Sequence, residues 1–123
     1  MTPRLLVVPN WLLFWAAAIT LGQLIIIRRA YQYDPIVLAH ETIHTLQFRR
    51  EGIFGYLILY LFCLPFLYNP WRARWEAEAY AVNVRAGASV EFCAKIISGA
   101  GYLWPCRKAR AVELINSYVG GTP

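Results

Sequence analysis

The pattern of hydrophobic and polar positions changes character near the start of the chain. The apolar run at residues 11–18 lacks alternation and predicts a short helix. Residues 19–29 are rich in β-branched side chains and contain Gly22, so they predict extended structure with a bend. Asp34-Pro35 then predicts the start of a long helix, because aspartate is a favourable N-cap and proline fits the first helical position.

That long helix should run to about Glu51 and end at Gly52, since glycine readily adopts the backbone conformation found after a helix. Apolar residues recur along it at i, i+3, i+4 spacing, and they predict a buried face made of Ile36, Ala39, Ile43 and Leu46. Turn and cap residues divide the remaining chain into more helices. The predicted helices span Phe54 to Leu64 (ended by Pro65), Asn69-Pro70 to Gly87, Ser89 to about Gly99, and Pro105 to Gly120-Gly121.

These elements predict an α+β fold that is mainly helical, with an N-terminal β element before the helix that begins at Pro35. The chain has 123 residues, which is enough for one hydrophobic core, so we expect a single domain over residues 1–123. Hydrophobic residues make up 59% of it and the mean hydropathy is +0.41. Such a composition favours either very tight packing or an apolar surface for a membrane, a partner or self-association.

Two apolar stretches, residues 11–27 and 53–68, fall short of the roughly 20 apolar residues that a membrane span needs. Gly22-Gln23 interrupts the first stretch and Pro65 the second. The N-terminal apolar run is broken by Pro9-Asn10 and makes no convincing signal peptide. We therefore expect a domain that folds on itself, in the cytoplasm or associated with a membrane.

The charged residues argue against binding to nucleic acid, and the cysteines argue against a disulfide-stabilised fold. The net charge of +5 is carried by scattered clusters that match no nucleic-acid-binding motif, so no nucleic-acid partner is expected. The three cysteines are far apart and form no CxxC pair, so a disulfide framework is not expected.

The chemistry is concentrated in residues 38–47, LAHETIHTLQ, which contain an HExxH motif. His40 and His44 are one helical turn apart and can share one metal ion. Glu41 is rotated by about 100° from His40, which places its carboxylate beside a metal-activated water as a general base. No other histidine occurs in the chain, and a well-capped helix carries both. The motif therefore predicts a zinc-dependent hydrolytic site.

Catalytic zinc usually has three protein ligands, so the third must be a carboxylate or a thiolate. Glu76 and Glu78 lie on one predicted helix and point about 200° apart, so only one of them can face the metal. Glu76 shares its face with Tyr80 and Asn83, which can line a polar site, and this favours Glu76. The other downstream acids, Glu91 and Glu113, lie in less suggestive settings.

The strings LAHETIHTLQFRREG and NPWRARWEAEAYA, preceded by AITLGQLIII, resemble the gluzincin branch of the zincin metallopeptidases, in particular small bacterial and phage zincin-like domains. The similarity covers roughly residues 18–85. It implies a Zn²⁺ cofactor, a peptide or protein substrate aligned along the preceding strand, and a glutamate ligand that corresponds to Glu76. Tyr80 stands where many relatives have aspartate. It can orient a ligand histidine, donate to the developing oxyanion, or be a packed aromatic.

Three functional hypotheses follow. The first is a zinc metallopeptidase with Glu41 as its base and a helper for the carbonyl oxygen among Tyr31, Tyr33, Tyr56, Tyr60, Arg72 and Arg74. The second is a small membrane-associated or partner-binding helical protein whose HExxH is structural or vestigial. The third is a zinc-binding scaffold without hydrolysis.

Overall fold

The computed structural model describes residues 2–13, 16–62, 69–99, 102 and 105–120. The chain forms two compact units, Met1–Ile53 and Phe54–Pro123. The first contains a small sheet and a long helix, and the second is helical. The predicted fold class, α+β and mainly helical with a β element before the HExxH helix, is confirmed. The single domain over residues 1–123 stays a prediction.

The sheet of the first unit has three strands in the described residues: β1 (Arg4–Val8), β2 (Ala18–Leu21) and β3 (Leu24–Arg28). Their order is β1-β3-β2, with β1 parallel and β2 antiparallel to β3. The turn between β2 and β3 contains Gly22 at φ +61°, a conformation that glycine adopts at little cost. The predicted extended segment with a bend at Gly22 is therefore confirmed.

The helix predicted over residues 11–18 is wrong in the described residues. Residues 11–13 form a turn in which the Leu12 N–H donates to the Pro9 carbonyl, and residues 14 and 15 lie outside the described part. Ala18 already belongs to β2, where it is buried with Ile25 and Ile27. Burial against the central strand outweighs the local helical tendency of the apolar run. Strand β1 was not predicted.

The HExxH helix, α1 (Pro35–Glu51), begins and ends as predicted. The Asp34 carboxylate accepts hydrogen bonds from the N–H groups of Ile36 and Val37. At the other end, the Gly52 N–H donates to the Phe48 carbonyl at φ +79°. Both ends are determined by neighbours in sequence, which explains why they could be predicted.

The predicted buried face of α1 is wrong. Ile36 and Leu46 are 38% and 46% exposed, Ala39 is exposed and Ile43 is half-buried. The buried residues are mostly polar and comprise His40, Glu41, His44, Thr45, Gln47 and Phe48. The reason is that α1 packs against β2 and β3, and polar side chains around the β2–β3 turn meet it there. Polar groups can be buried where such partners satisfy them.

The second unit contains α2 (Ile53–Phe62, which begins at the last residue of the first unit), α3 (Pro70–Arg85), α4 (Val90–Ile97) and α5 (Lys108–Gly120). Asn69 caps α3 by accepting from the Arg72 N–H, and its amide also donates to the Leu59 carbonyl of α2. Ser89 caps α4 as predicted. The predicted α2 terminus at Pro65 lies outside the described residues. The last helix begins at Lys108 rather than at Pro105, whose carbonyl accepts from the Asn69 N–H.

Helices α3, α4 and α5 enclose the core of the second unit. Small residues on α3 allow close approach, and larger apolar residues from α4 and α5 fill the space between the helices; this core comprises Ala73, Ala77, Cys93, Ala94, Ile97, Cys106, Ala111, Leu114 and Ile115. Close packing of the face of α3 that carries Ala73 and Ala77 fixes the position of this helix within the second unit. Within the described residues, no helix is both long enough and apolar enough to cross a membrane.

Candidate metal centre

Helix α1 carries the two histidines of the motif on its buried side. His40 and His44 are 6% and 7% exposed, and their ring centroids lie 5.1 Å apart with the planes at 70°. This arrangement follows from the i, i+4 spacing, which stacks side chains one turn apart. Both imidazoles can therefore direct a nitrogen to the same point.

Gln47 orients His44. The Nδ1 atom of His44 lies 2.9 Å from Oε1 of Gln47, a fully buried side chain one turn further along α1. An amide oxygen only accepts, so Nδ1 is the protonated nitrogen and donates this bond. In the neutral ring the Nε2 atom then carries the lone pair that a metal ligand needs. Partners of this kind fix both the ring orientation and the tautomer of ligand histidines.

Glu41 lies beside the histidines and is also buried, at 8% exposure. Its Oε2 atom accepts a hydrogen bond of 2.6 Å from the hydroxyl of Thr20 on β2. The distance is in the range of a hydroxyl bonded to a carboxylate. Helix α1 thus presents two potential nitrogen ligands and, next to them, a carboxylate that is hydrogen-bonded to the sheet.

His40, His44 and Glu76 form a buried group whose potential ligand atoms all lie within 4.8 Å of one another. Ligand atoms bound at about 2.1 Å to one tetrahedral zinc would lie about 3.4 Å apart, a change that small side-chain rotations can supply. Two imidazoles and a carboxylate are one of the donor sets that catalytic zinc uses. The group can hold a metal ion.

Thiolates are poorly suited as the third ligand in the described residues. Cys93 and Cys106 are buried in the core of the second unit, and Cys63 lies outside the described part. Burial raises the pKa of both core thiols, although Arg110 partly offsets this for Cys106. A raised pKa keeps a thiol protonated and disfavours metal binding.

The two candidate glutamates differ in burial. Glu76 is 2% exposed and belongs to the histidine group, whereas Glu78 is half-buried and does not belong to any potential metal group among the described residues. That Glu76 is the third ligand stays a prediction.

We expect Glu76→Gln to weaken zinc retention and Glu78→Gln to leave it intact. The amide is a poorer ligand than the carboxylate, and only the first change affects the histidine group. Zinc per protein after dialysis against a weak chelator measures this, with Glu78→Gln as the matched control two residues away. Equal retention in both variants, or a loss confined to Glu78→Gln, would refute the choice of Glu76.

Tyr80 has a partner that the sequence did not indicate. Its hydroxyl lies 3.1 Å from the hydroxyl of Tyr102, and the two rings are edge to face. Tyr80 also packs against the core of the second unit. The carbonyl of Tyr102 accepts from Arg72, which is 1% exposed and one turn before Glu76 on α3. A catalytic role for Tyr80 stays a prediction.

The structure separates the other candidates for a carbonyl helper. Tyr33 is 86% exposed, and Arg74 is exposed and lies over the ring of Trp71. Three candidates have partners that anchor them: Tyr56 stacks on Trp75, Tyr31 lies under Arg28, and Arg72 bonds to Tyr102. The Tyr60 side chain lies outside the described part. Arg72 alone among these candidates combines nearly complete burial with a place on the same helix face as Glu76.

Three residues around the site were missed from the sequence: Thr20, Gln47 and Tyr102. Gln47 had a usable signal, because a polar residue at i+3 from a ligand histidine can reach its ring. Thr20 bonds to Glu41, 21 positions away, and Tyr102 bonds to Tyr80, 22 positions away. No local sequence pattern predicts such pairs.

Comparison of the chain with known proteins finds no relative. No protein-family model matches the chain, and no curated protein and no solved structure matches it either. The HExxH motif and the contacts of its residues therefore carry the functional information.

Proposed function

We propose that the protein is a zinc-dependent metallopeptidase that hydrolyses peptide bonds, with His40, His44 and Glu76 as ligands and Glu41 as general base. The observation that carries the proposal is the buried His40–His44–Glu76 group with Glu41 next to it in sequence and held in place by Thr20. A site built only for stability would have no need of a second buried carboxylate beside three potential ligands.

Zinc bound by this group supplies positive charge that polarises a carbonyl and makes water more acidic. The side chains supply the remaining functions. Gln47 keeps His44 in the tautomer that presents Nε2. Glu41 accepts the proton of the attacking water and can pass it to the departing amine. Arg72 and Tyr80 are the candidates on α3 for stabilising developing negative charge.

The sheet offers a place for an extended substrate. In the described residues β2 is an edge strand that pairs with β3 on one side. A peptide can add to such an edge through main-chain hydrogen bonds, which bind without requiring a particular side chain. Because Thr20 of β2 contacts Glu41, a peptide on this edge would lie near the base.

A second candidate function follows from exposed apolar side chains. Phe54 and Ile58 of α2 are 78% and 58% exposed, and Trp11 is 73% exposed. Residues 53–62 of α2 carry no charge. Apolar surface of this kind is typical of contacts with a membrane or a protein partner. In this alternative, HExxH is structural or vestigial.

Two measurements on the purified chain separate the hypotheses. We expect one zinc per chain, removable by a chelator, and cleavage of an unstructured protein such as casein that stops on chelation and returns with added zinc. Absence of zinc binding would leave the membrane or partner hypothesis. Zinc binding without cleavage of any unstructured protein or peptide library would favour the scaffold hypothesis and refute the proposed peptidase.

A further inference from the structure

The hydroxyl of Thr20 is aimed at the proposed base. It lies 2.6 Å from Glu41 Oε2 and 3.3 Å from the Glu41 carbonyl oxygen. A hydroxyl has one hydrogen to donate, and the shorter distance assigns it to the carboxylate. No described residue donates to the other carboxylate oxygen, Oε1. The bond therefore fixes one carboxylate oxygen, and the other takes no part in it.

Thr20 is a rigid anchor for this bond. It lies in β2 opposite Ile25 of the central strand, and a β-branched side chain in a strand has few rotamers. Glutamate, in contrast, has three rotatable side-chain bonds, so an unrestrained carboxylate samples many positions. We infer that Thr20 is a positioning residue that holds the Glu41 carboxylate in the orientation that accepts the proton of water; this rests on the proposed function.

The register of the hairpin places the main-chain N–H and C=O of Thr20 on the edge of β2 away from β3. The Arg28 N–H donates to the Ala17 carbonyl, and hydrogen-bonded pairs alternate along an antiparallel ladder. Thr20 and Ile25 are consequently a non-hydrogen-bonded pair, and the Thr20 N–H and C=O point away from β3. One residue therefore joins the sheet edge proposed to bind substrate with the base that acts on it.

Four single substitutions and one double variant test the inference without relying on activity alone. In the metal-free protein, a double-mutant cycle between Thr20→Val and Glu41→Ala is expected to show coupling, with the double variant destabilised by less than the sum of the single ones. In the zinc-loaded protein, Thr20→Val should lower kcat by about 10- to 100-fold, as loss of an orienting partner does, with KM and zinc content unchanged. Thr20→Ser should restore kcat. Thr42→Val should behave as wild type.

Thr42 is a matched control because its hydroxyl donates to the Leu38 carbonyl of its own helix. Lack of coupling in the metal-free protein would overturn the inference, and so would a normal kcat in Thr20→Val despite coupling. A wild-type protein that binds zinc and cleaves nothing overturns the proposed function and the inference with it. That result is distinct from failure of the inference alone, in which wild type and Thr42→Val cleave and Thr20→Val cleaves equally fast.

Discussion

Glu41→Gln is expected to lower kcat by about 10²- to 10⁴-fold, the usual effect of removing a general base. The amide has the shape of the carboxylate and still offers an oxygen to the Thr20 hydroxyl, so the fold and the side-chain position should persist. It can no longer take a proton from water. Zinc content and unfolding temperature should therefore stay close to those of wild type.

Glu51→Gln is the matched control for this variant. Glu51 ends the same helix, is exposed and pairs with Arg50 at the surface, where an ion pair stabilises little. The chemical change is identical, and we expect wild-type kcat. Steady-state kinetics on a quenched fluorescent peptide, with zinc measured in the same samples, gives the comparison. Unchanged turnover of Glu41→Gln with zinc in place would exclude Glu41 as the base.

Elements set by local chemistry could be predicted from the sequence. Asp34, Asn69 and Ser89 each accept backbone N–H groups of the helix that follows. Gly22 and Gly52 adopt positive φ where the chain turns or a helix ends. These interactions span a few residues, so their sequence signals are direct. The spacing that places His40 and His44 on one helix face belongs to the same class.

Elements that depend on distant residues could not be predicted in this way. The strand pairing of β1 with β3 joins residues about 20 positions apart in the chain, as Arg4 with Leu24, and no local pattern predicted β1. Ala18, placed in the predicted helix over residues 11–18, pairs with Ile27 of β3 as part of β2. The buried face of α1 was predicted from its apolar residues, whereas the residues that are buried are mostly polar. Gln23 donates to the Thr45 carbonyl and Thr20 to Glu41, so side chains of the sheet region satisfy polar groups on the buried side of α1.

The candidate metal site depends on both kinds of interaction, local ones along a helix and distant ones between elements. The choice of Glu76 over Glu78 rested on helix geometry, on the polar residues that share its face and on the family resemblance. Glu76 is the one that belongs to the histidine group. Gln47 could have been inferred from its position on α1. The partner of Glu41 required knowledge of which strand lies beside the helix, and this information is tertiary.

His40→Ala and His44→Ala are each expected to lose bound zinc. Two remaining ligands hold the ion much more weakly than three, and the chain contains no other histidine to replace the lost one. In wild type, zinc that binds only the folded state should stabilise it by about 2.7 kcal/mol at a free concentration 100 times the Kd. Added zinc should therefore raise the unfolding temperature of wild type and leave that of both variants nearly unchanged.

The informative quantity is the zinc-dependent shift within each variant, because replacing a buried imidazole also changes packing. His44→Ala additionally removes one hydrogen bond of Gln47 Oε1, so its metal-free form should be destabilised as well. Thr42→Val is again the control, and its zinc-dependent shift should equal that of wild type. Elemental analysis that finds one zinc per chain in either histidine variant would show that the ion binds elsewhere, and the assignment of His40 and His44 as ligands would fail.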